Sequence, residues 1–137
     1  MVQNHILVIG LFCLKALSQF IHNALEGQDI VLKSEGKQYF SYLHVADAVS
    51  GILTVMLKGV CGEAYNVADE QSDITLRDLA GLIAKECGRK VVFDIPAASE
   101  AAGFSPAMLA RMDNSKIRAL GWTVDYDIAA GIADTIK

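Results

Sequence analysis

Apolar positions recur at two different periods along this chain, and the switches between them mark its elements. In Leu14–Leu25 the residues Leu14, Leu17, Ile21, Ala24 and Leu25 share one helical face, and Gly27 supplies a stop. A short apolar run at Ile30–Leu32, a turn over 34–36 and an extended run from Tyr39 to Val45 predict two strands. From there Val49, Ile52, Leu53, Met56 and Leu57 fall on one helical face that ends at Gly59, and Asp47 or a near neighbour is placed to cap it. "GEAYNVADE" reads as a short strand running into a polar turn over 69–73. Thr75 then caps "LRDLAGLIAKECG", with Asp78 three residues on and Gly88 as the stop.

The C-terminal third continues the same way. "KVVFDI" is β-branched and closed by Pro96, so a strand is expected there. Ser105 and Pro106 form an N-cap and first-position pair for a short helix through Leu109. Asp113 opens "NSKIRALG" and Asp127 opens "IAAGIADTIK", both as helices. No repeat, linker or low-complexity tract interrupts the pattern. The fold class expected is α+β, a small mixed sheet packed with helices. The apolar run from Ile6 to Leu14 is too short to span a bilayer, and no Lys or Arg precedes it as a secretory leader requires. It reads as a buried strand or helix.

Composition changes this picture in one respect. Hydrophobic residues make up 53 % of the chain and there are 11 glycines besides, which together exceed the roughly 45 to 50 % of an average soluble domain. Such a surplus predicts apolar surface meant to be covered by something else, a partner subunit or a further domain. The net charge of −4, with no block of like charges, disfavours nucleic acid, because counterion release needs a basic surface. Membrane association is not expected either. Cys13, Cys61 and Cys87 are odd in number and far apart, which fits a reducing, cytoplasmic setting better than a disulfide framework.

The motifs that would carry chemistry are missing. "HILVIG" starts like a nucleotide-binding strand, but Gly10 is followed by no second or third glycine, so backbone amides have no glycine cradle for a pyrophosphate. There is no phosphate-binding G-x-x-x-x-G-K-[ST] and no G-x-S-x-G elbow. No tyrosine has a lysine four residues on: Tyr39, Tyr42, Tyr65 and Tyr126 are followed there by Leu43, Ala46, Asp69 and Ala130. His5, His22 and His44 are scattered, which argues against a metal cluster. No catalytic, cofactor-binding or metal-ligating residue is therefore assigned.

Four stretches nevertheless carry a resemblance in order and spacing: "FIHNALEGQDIVLKSEGKQ", "SYLHVADAVSGIL", "GEAYNVADE" with "LRDLAGLIAKECG", and "MDNSKIRALGWTVDYDIAAGIADTI". Together they resemble the C-terminal, substrate-binding portion of the NAD-dependent epimerase/dehydratase family, the extended short-chain dehydrogenases that act on nucleotide sugars. The likeness begins near Leu17, leaving residues 1–16 as an unmatched apolar segment and 17–137 as a substrate-binding-type domain. It implies a truncated enzyme that is not catalytic alone. Its intact form would use NAD and carry the glycine fingerprint and the Tyr-Lys pair in a Rossmann half that this chain lacks.

The resemblance also implies where substrate would sit. The family presents an Arg just before its aromatic-Val-x-Asp motif, a fork suited to a diphosphate, and Phe40 stands in that slot here. Gln38, Phe40 and Arg111 are the substrate-binding candidates, with Lys37 and Arg111 as the cations that could compensate, or else as ordinary solvated surface residues. Asp47 reads first as a helix cap and second as a substrate contact. His44 reads as a strand residue with no evident carboxylate partner, Asn66 as a strand-end residue, Trp122 as a core anchor, and Asp125 with Asp127 as a capping pair. Two functions stay open: the substrate half of a nucleotide-sugar epimerase or dehydratase, paired with a missing Rossmann half, or a non-catalytic module that self-associates as a homo-oligomer through its apolar face.

Overall fold

A computed structural model describes residues 6–8, 14–95 and 109–137 of the chain. The described elements run β1 (Ile6–Val8), α1 (Leu14–Leu25), β2 (Ile30–Leu32), β3 (Tyr39–Ser41), α2 (Val45–Lys58), β4 (Ala64–Asn66), β5 (Asp73–Thr75), α3 (Leu76–Glu86), β6 (Val91–Phe93), β7 (Leu109–Ala110), α4 (Ser115–Arg118) and α5 (Ile128–Ile136). The strands form three small sheets instead of the one mixed sheet expected. β1 pairs with β4 in parallel, β2 with β6 in parallel, and β3 lies between antiparallel β5 and parallel β7. Helix α3 bridges two of these sheets, packing on β5 of one and on β2 and β6 of another.

Local signals explain most boundaries. Gly27, Gly88 and Gly121 follow their helices with positive φ, the left-handed conformation that closes a helix with least strain in glycine. Thr75 Oγ1 accepts from the Asp78 amide at 3.0 Å and donates back to its carboxylate, a reciprocal cap on α3. Asp127 accepts from the Ala130 amide at 2.8 Å and caps α5.

Two expectations need correction. The run to Val45 is strand only through Ser41, because His44 caps α2 and Val45 is already its first residue. Leu109 lies in β7 and not in a helix, since it pairs in register with Tyr39; the Ser105–Pro106 start lies outside the described residues. The structure also gives the direction of the α2 stripe, which periodicity left open. The face carrying Val49, Leu53, Met56 and Leu57 is exposed, and Asp47, Gly51 and Val55 on the opposite side are the ones buried.

Among the described residues the hydrophobic interior has two parts. The larger gathers Phe20 and Ala24 of α1, Ile30 and Leu32 of β2, Phe40, Tyr42, Leu79 and Ile83 of α3, and Ile132 of α5. The smaller gathers Val55, Tyr65, Val67, Ile117 and Trp122. Trp122 is a core anchor, as expected, and its indole N–H donates to Ser50 Oγ at 2.9 Å. Among the described residues no helix is long and apolar enough to cross a membrane.

Candidate functional site

The three substrate candidates all belong to the β5-β3-β7 sheet or its immediate flanks. Alternation along β3 puts Phe40 inward and Tyr39 outward. The Phe40 ring is buried in the larger core, edge-on to Tyr42 with centroids 6.5 Å apart. Gln38, two residues earlier, accepts through its backbone carbonyl from Leu76 at 3.0 Å; its side-chain Oε1 is buried without a hydrogen-bond partner among the described residues.

Arg111 lies on the other side of the sheet. Its Nε donates to Asp73, whose second carboxylate oxygen accepts from Ser41 Oγ. Asp73 on β5, Ser41 on β3 and Arg111 just past β7 thus form one polar chain across all three strands. Asp73 holds the Arg111 guanidinium in its charged form, first through the hydrogen bond and then through its charge, with Glu70 and Tyr39 adding smaller contributions. The Arg111 side chain is 55 % exposed, and a guanidinium carries N–H groups beyond the one bound to Asp73 that can donate to an anionic group. The structure therefore separates the candidates: Gln38 and Phe40 lie toward the core, and Arg111 is grouped with Tyr39, Ser41 and Asp73. Sequence reasoning missed that grouping, because its members are 38 residues apart at the widest hydrogen bond and only strand pairing brings them together.

Lys37, the other cation considered, is exposed and paired with Glu35. That partner holds the Glu35 carboxyl below the usual carboxylate range, by hydrogen bond first and charge second. Both line an open depression of about 340 Å³ with Arg77, Phe93 and Ile95, where the Arg77 guanidinium sits 4.9 Å from the Phe93 ring centre.

Around α2 the polar residues serve the fold. Asp47 does not cap its own helix. It is 2 % exposed, and its two carboxylate oxygens accept from the backbone amides of Asp125 and Tyr126, each at 3.0 Å. It thus ties α2 to the segment leading into α5. His44 is the cap: Nδ1 accepts from the Ala46 amide at 3.4 Å. The carboxylate partner that sequence did not reveal is Asp134, 3.4 Å from Nε2, and the imidazole stacks on Tyr126 with centroids 4.0 Å apart. Asn66 ends β4 and donates to the Asp113 carbonyl at 3.0 Å. Of the Asp125–Asp127 pair, Asp127 caps α5 through its side chain, and Asp125 offers its backbone amide to Asp47.

With this geometry in place, comparison with known proteins locates the fold. The NAD dependent epimerase/dehydratase family matches residues 12–68, so the match starts inside the 1–16 segment set apart above. A dTDP-glucose 4,6-dehydratase of Streptomyces niveus is 29 % identical over 126 residues, which are 90 % of this chain and 36 % of that protein. The crystal structure of dTDP-glucose 4,6-dehydratase from Bacillus anthracis in complex with NAD superposes with a TM-score of 0.77 at 21 % identity, over 96 % of this chain and 43 % of that one. UDP-glucose 4-epimerase from Thermotoga maritima, solved with UDP-glucose, superposes with a TM-score of 0.72 at 21 % identity, over 88 % of this chain and 37 % of that one. The two structural likenesses establish the fold. The chain spans little more than a third of the length of the curated relatives it matches.

Proposed function

We propose, from a family match and curated relatives that support the NAD-dependent epimerase/dehydratase family, that this chain is the C-terminal, nucleotide-sugar-binding portion of such an enzyme. The observation that carries the reading is the superposition of 96 % of the chain on 43 % of an NAD-bound dehydratase, in a sequence without the glycine cradle or the Tyr-x-x-x-Lys pair. The binding surface is the β5-β3-β7 sheet, where Arg111, steadied by Asp73, offers the exposed edge of its guanidinium to a diphosphate. Phe40 gives its slot to the core, so recognition rests on Arg111 and the neighbouring Tyr39.

NAD belongs to the intact enzyme. This chain's sequence does not fit it: Gly10 is the one glycine between β1 and α1, where a pyrophosphate cradle calls for a cluster of glycines. No chemical step is assigned to this chain, and turnover requires the portion that carries the cofactor.

Isothermal calorimetry with dTDP-glucose and UDP-glucose tests the reading. Heat at micromolar to submillimolar ligand is expected, with Arg111→Ala weakening it about tenfold. No heat from either sugar at millimolar concentration contradicts it.

A further inference from the structure

We propose that His44 is a proton-operated clasp between α2 and α5: when neutral its ring caps α2, and when protonated it gives up the cap and pairs with Asp134. The imidazole is held on four sides. Nδ1 accepts from the Ala46 amide at 3.4 Å, Nε2 lies 3.4 Å from Asp134 Oδ2, and one ring face stacks on Tyr126 with centroids 4.0 Å apart. α5 closes the fourth side at Gly131, where an added Cβ would stand 3.5 Å from the ring's Cδ2. The side chain is 10 % exposed, so the ring meets a change of charge in place, among these partners.

The two ring nitrogens favour opposite protonation states. A backbone amide donates only to a ring nitrogen without a hydrogen, so the capping ring is the neutral tautomer with its proton on Nε2, facing Asp134. A second proton, on Nδ1, sets a donor against the Ala46 N–H and removes the cap. It also places a positive charge at the positive end of the α2 dipole. Asp134 and the face of the Tyr126 ring act the other way, because both attract an imidazolium. The remaining charged groups of the elements around the ring are Asp47 and Lys58 on α2, Asp125 and Asp127 on the approach to α5, and Lys137 at its end. Asp47 is bound to the Asp125 and Tyr126 amides, Asp127 to the Ala130 amide, and Lys58 to the Leu120 carbonyl. Histidine is the ordinary side chain that exchanges a proton near neutral pH. Protonation therefore moves the hold of His44 from the first turn of α2 to α5.

Nitrogen-15 spectra of the His44 ring, recorded beside amide hydrogen exchange over one pH series, test the clasp. At the alkaline end Nδ1 should be bare and Nε2 protonated. As the ring takes its second proton, protection of the Ala46 amide should fall about fivefold. Protection of the Ile132 amide in α5 should rise by about two- to fivefold. Ile83 of the larger core cluster reports global opening and serves as the reference. His44→Asn keeps a capping side chain but has nothing to protonate, and should hold the Ala46 protection constant. Asp134→Asn should abolish the rise at Ile132 and keep the fall at Ala46. A neutral ring protonated on Nδ1, Ala46 protection that ignores the charge of the ring, the same fall in His44→Asn, or a rise at Ile132 that survives Asp134→Asn would each overturn the proposal. The first two outcomes are read on the parent chain, so they decide the matter even where a variant fails to fold.

Discussion

The two hydrophobic clusters among the described residues are built from similar side chains and differ in how they are closed. The larger, around Leu79 and Ile83, is walled by α1, α3 and α5 with β2 and β3. The smaller, around Val55 and Trp122, is walled on one side by β4 and α4 and backed by α2, whose outer surface is as apolar as a core. The contrast separates a cluster covered by this chain's own helices from one whose backing helix turns an apolar face to solvent. A closed cluster should respond to truncation inside it. An open one should respond inside and stay indifferent on its outer face.

The largest expected effect lies in the closed cluster. Leu79 is fully buried, so Leu79→Ala removes its packing and leaves a cavity, and we expect a loss of about 2 to 5 kcal/mol in urea unfolding. Asp47→Ala comes next, because it strands the Asp125 and Tyr126 amides without acceptors; the expected loss is about 2 to 4 kcal/mol by the same measurement. Gly51→Ala probes how tightly the inner side of α2 seats. A methyl there would stand 2.5 Å from Val67 Cγ1 and 3.3 Å from the Trp122 ring, and overpacking should cost about 1 to 3 kcal/mol.

A smaller effect involves pH. Lys116 holds the Glu63 carboxyl below its usual range, by hydrogen bond first and charge second, and so ties α4 to the approach to β4. A carboxylate lowered in the folded state contributes stability that is present above its unfolded value near pH 4.5 and is lost as pH falls through the folded value. Glu63→Gln should therefore flatten the acid limb of the stability profile slightly and change nothing near neutrality beyond the loss of an exposed pair. An unchanged acid limb would remove this tie from the account.

What sequence made legible was whatever local chemistry decides. The Thr75 cap, the glycine stops and the β-branched runs at Ile30–Leu32 and Val91–Phe93 all appear where spacing placed them. Orientation was not local. Periodicity identified the apolar stripe of α2 but not its direction, since the inward face reads as Asp47, Gly51 and Val55, an unpromising core until the Asp125 and Tyr126 amides, 78 and 79 residues away, arrive to satisfy the carboxylate. The candidate site shows the same limit. Gln38, Phe40 and Arg111 could be picked out singly, and the Ser41–Asp73–Arg111 chain could not, because strand pairing across three short segments creates it.

The central claim is that the outer face of α2 has no partner within this chain, and the unfolding free energy of the Leu53→Glu, Leu57→Glu variant measured on the chain alone tests it most directly. With these side chains 50 % and 82 % exposed, the account predicts a change within about 0.5 kcal/mol. A loss of about 2 kcal/mol or more would mean that the face is packed in the isolated protein, and would contradict it.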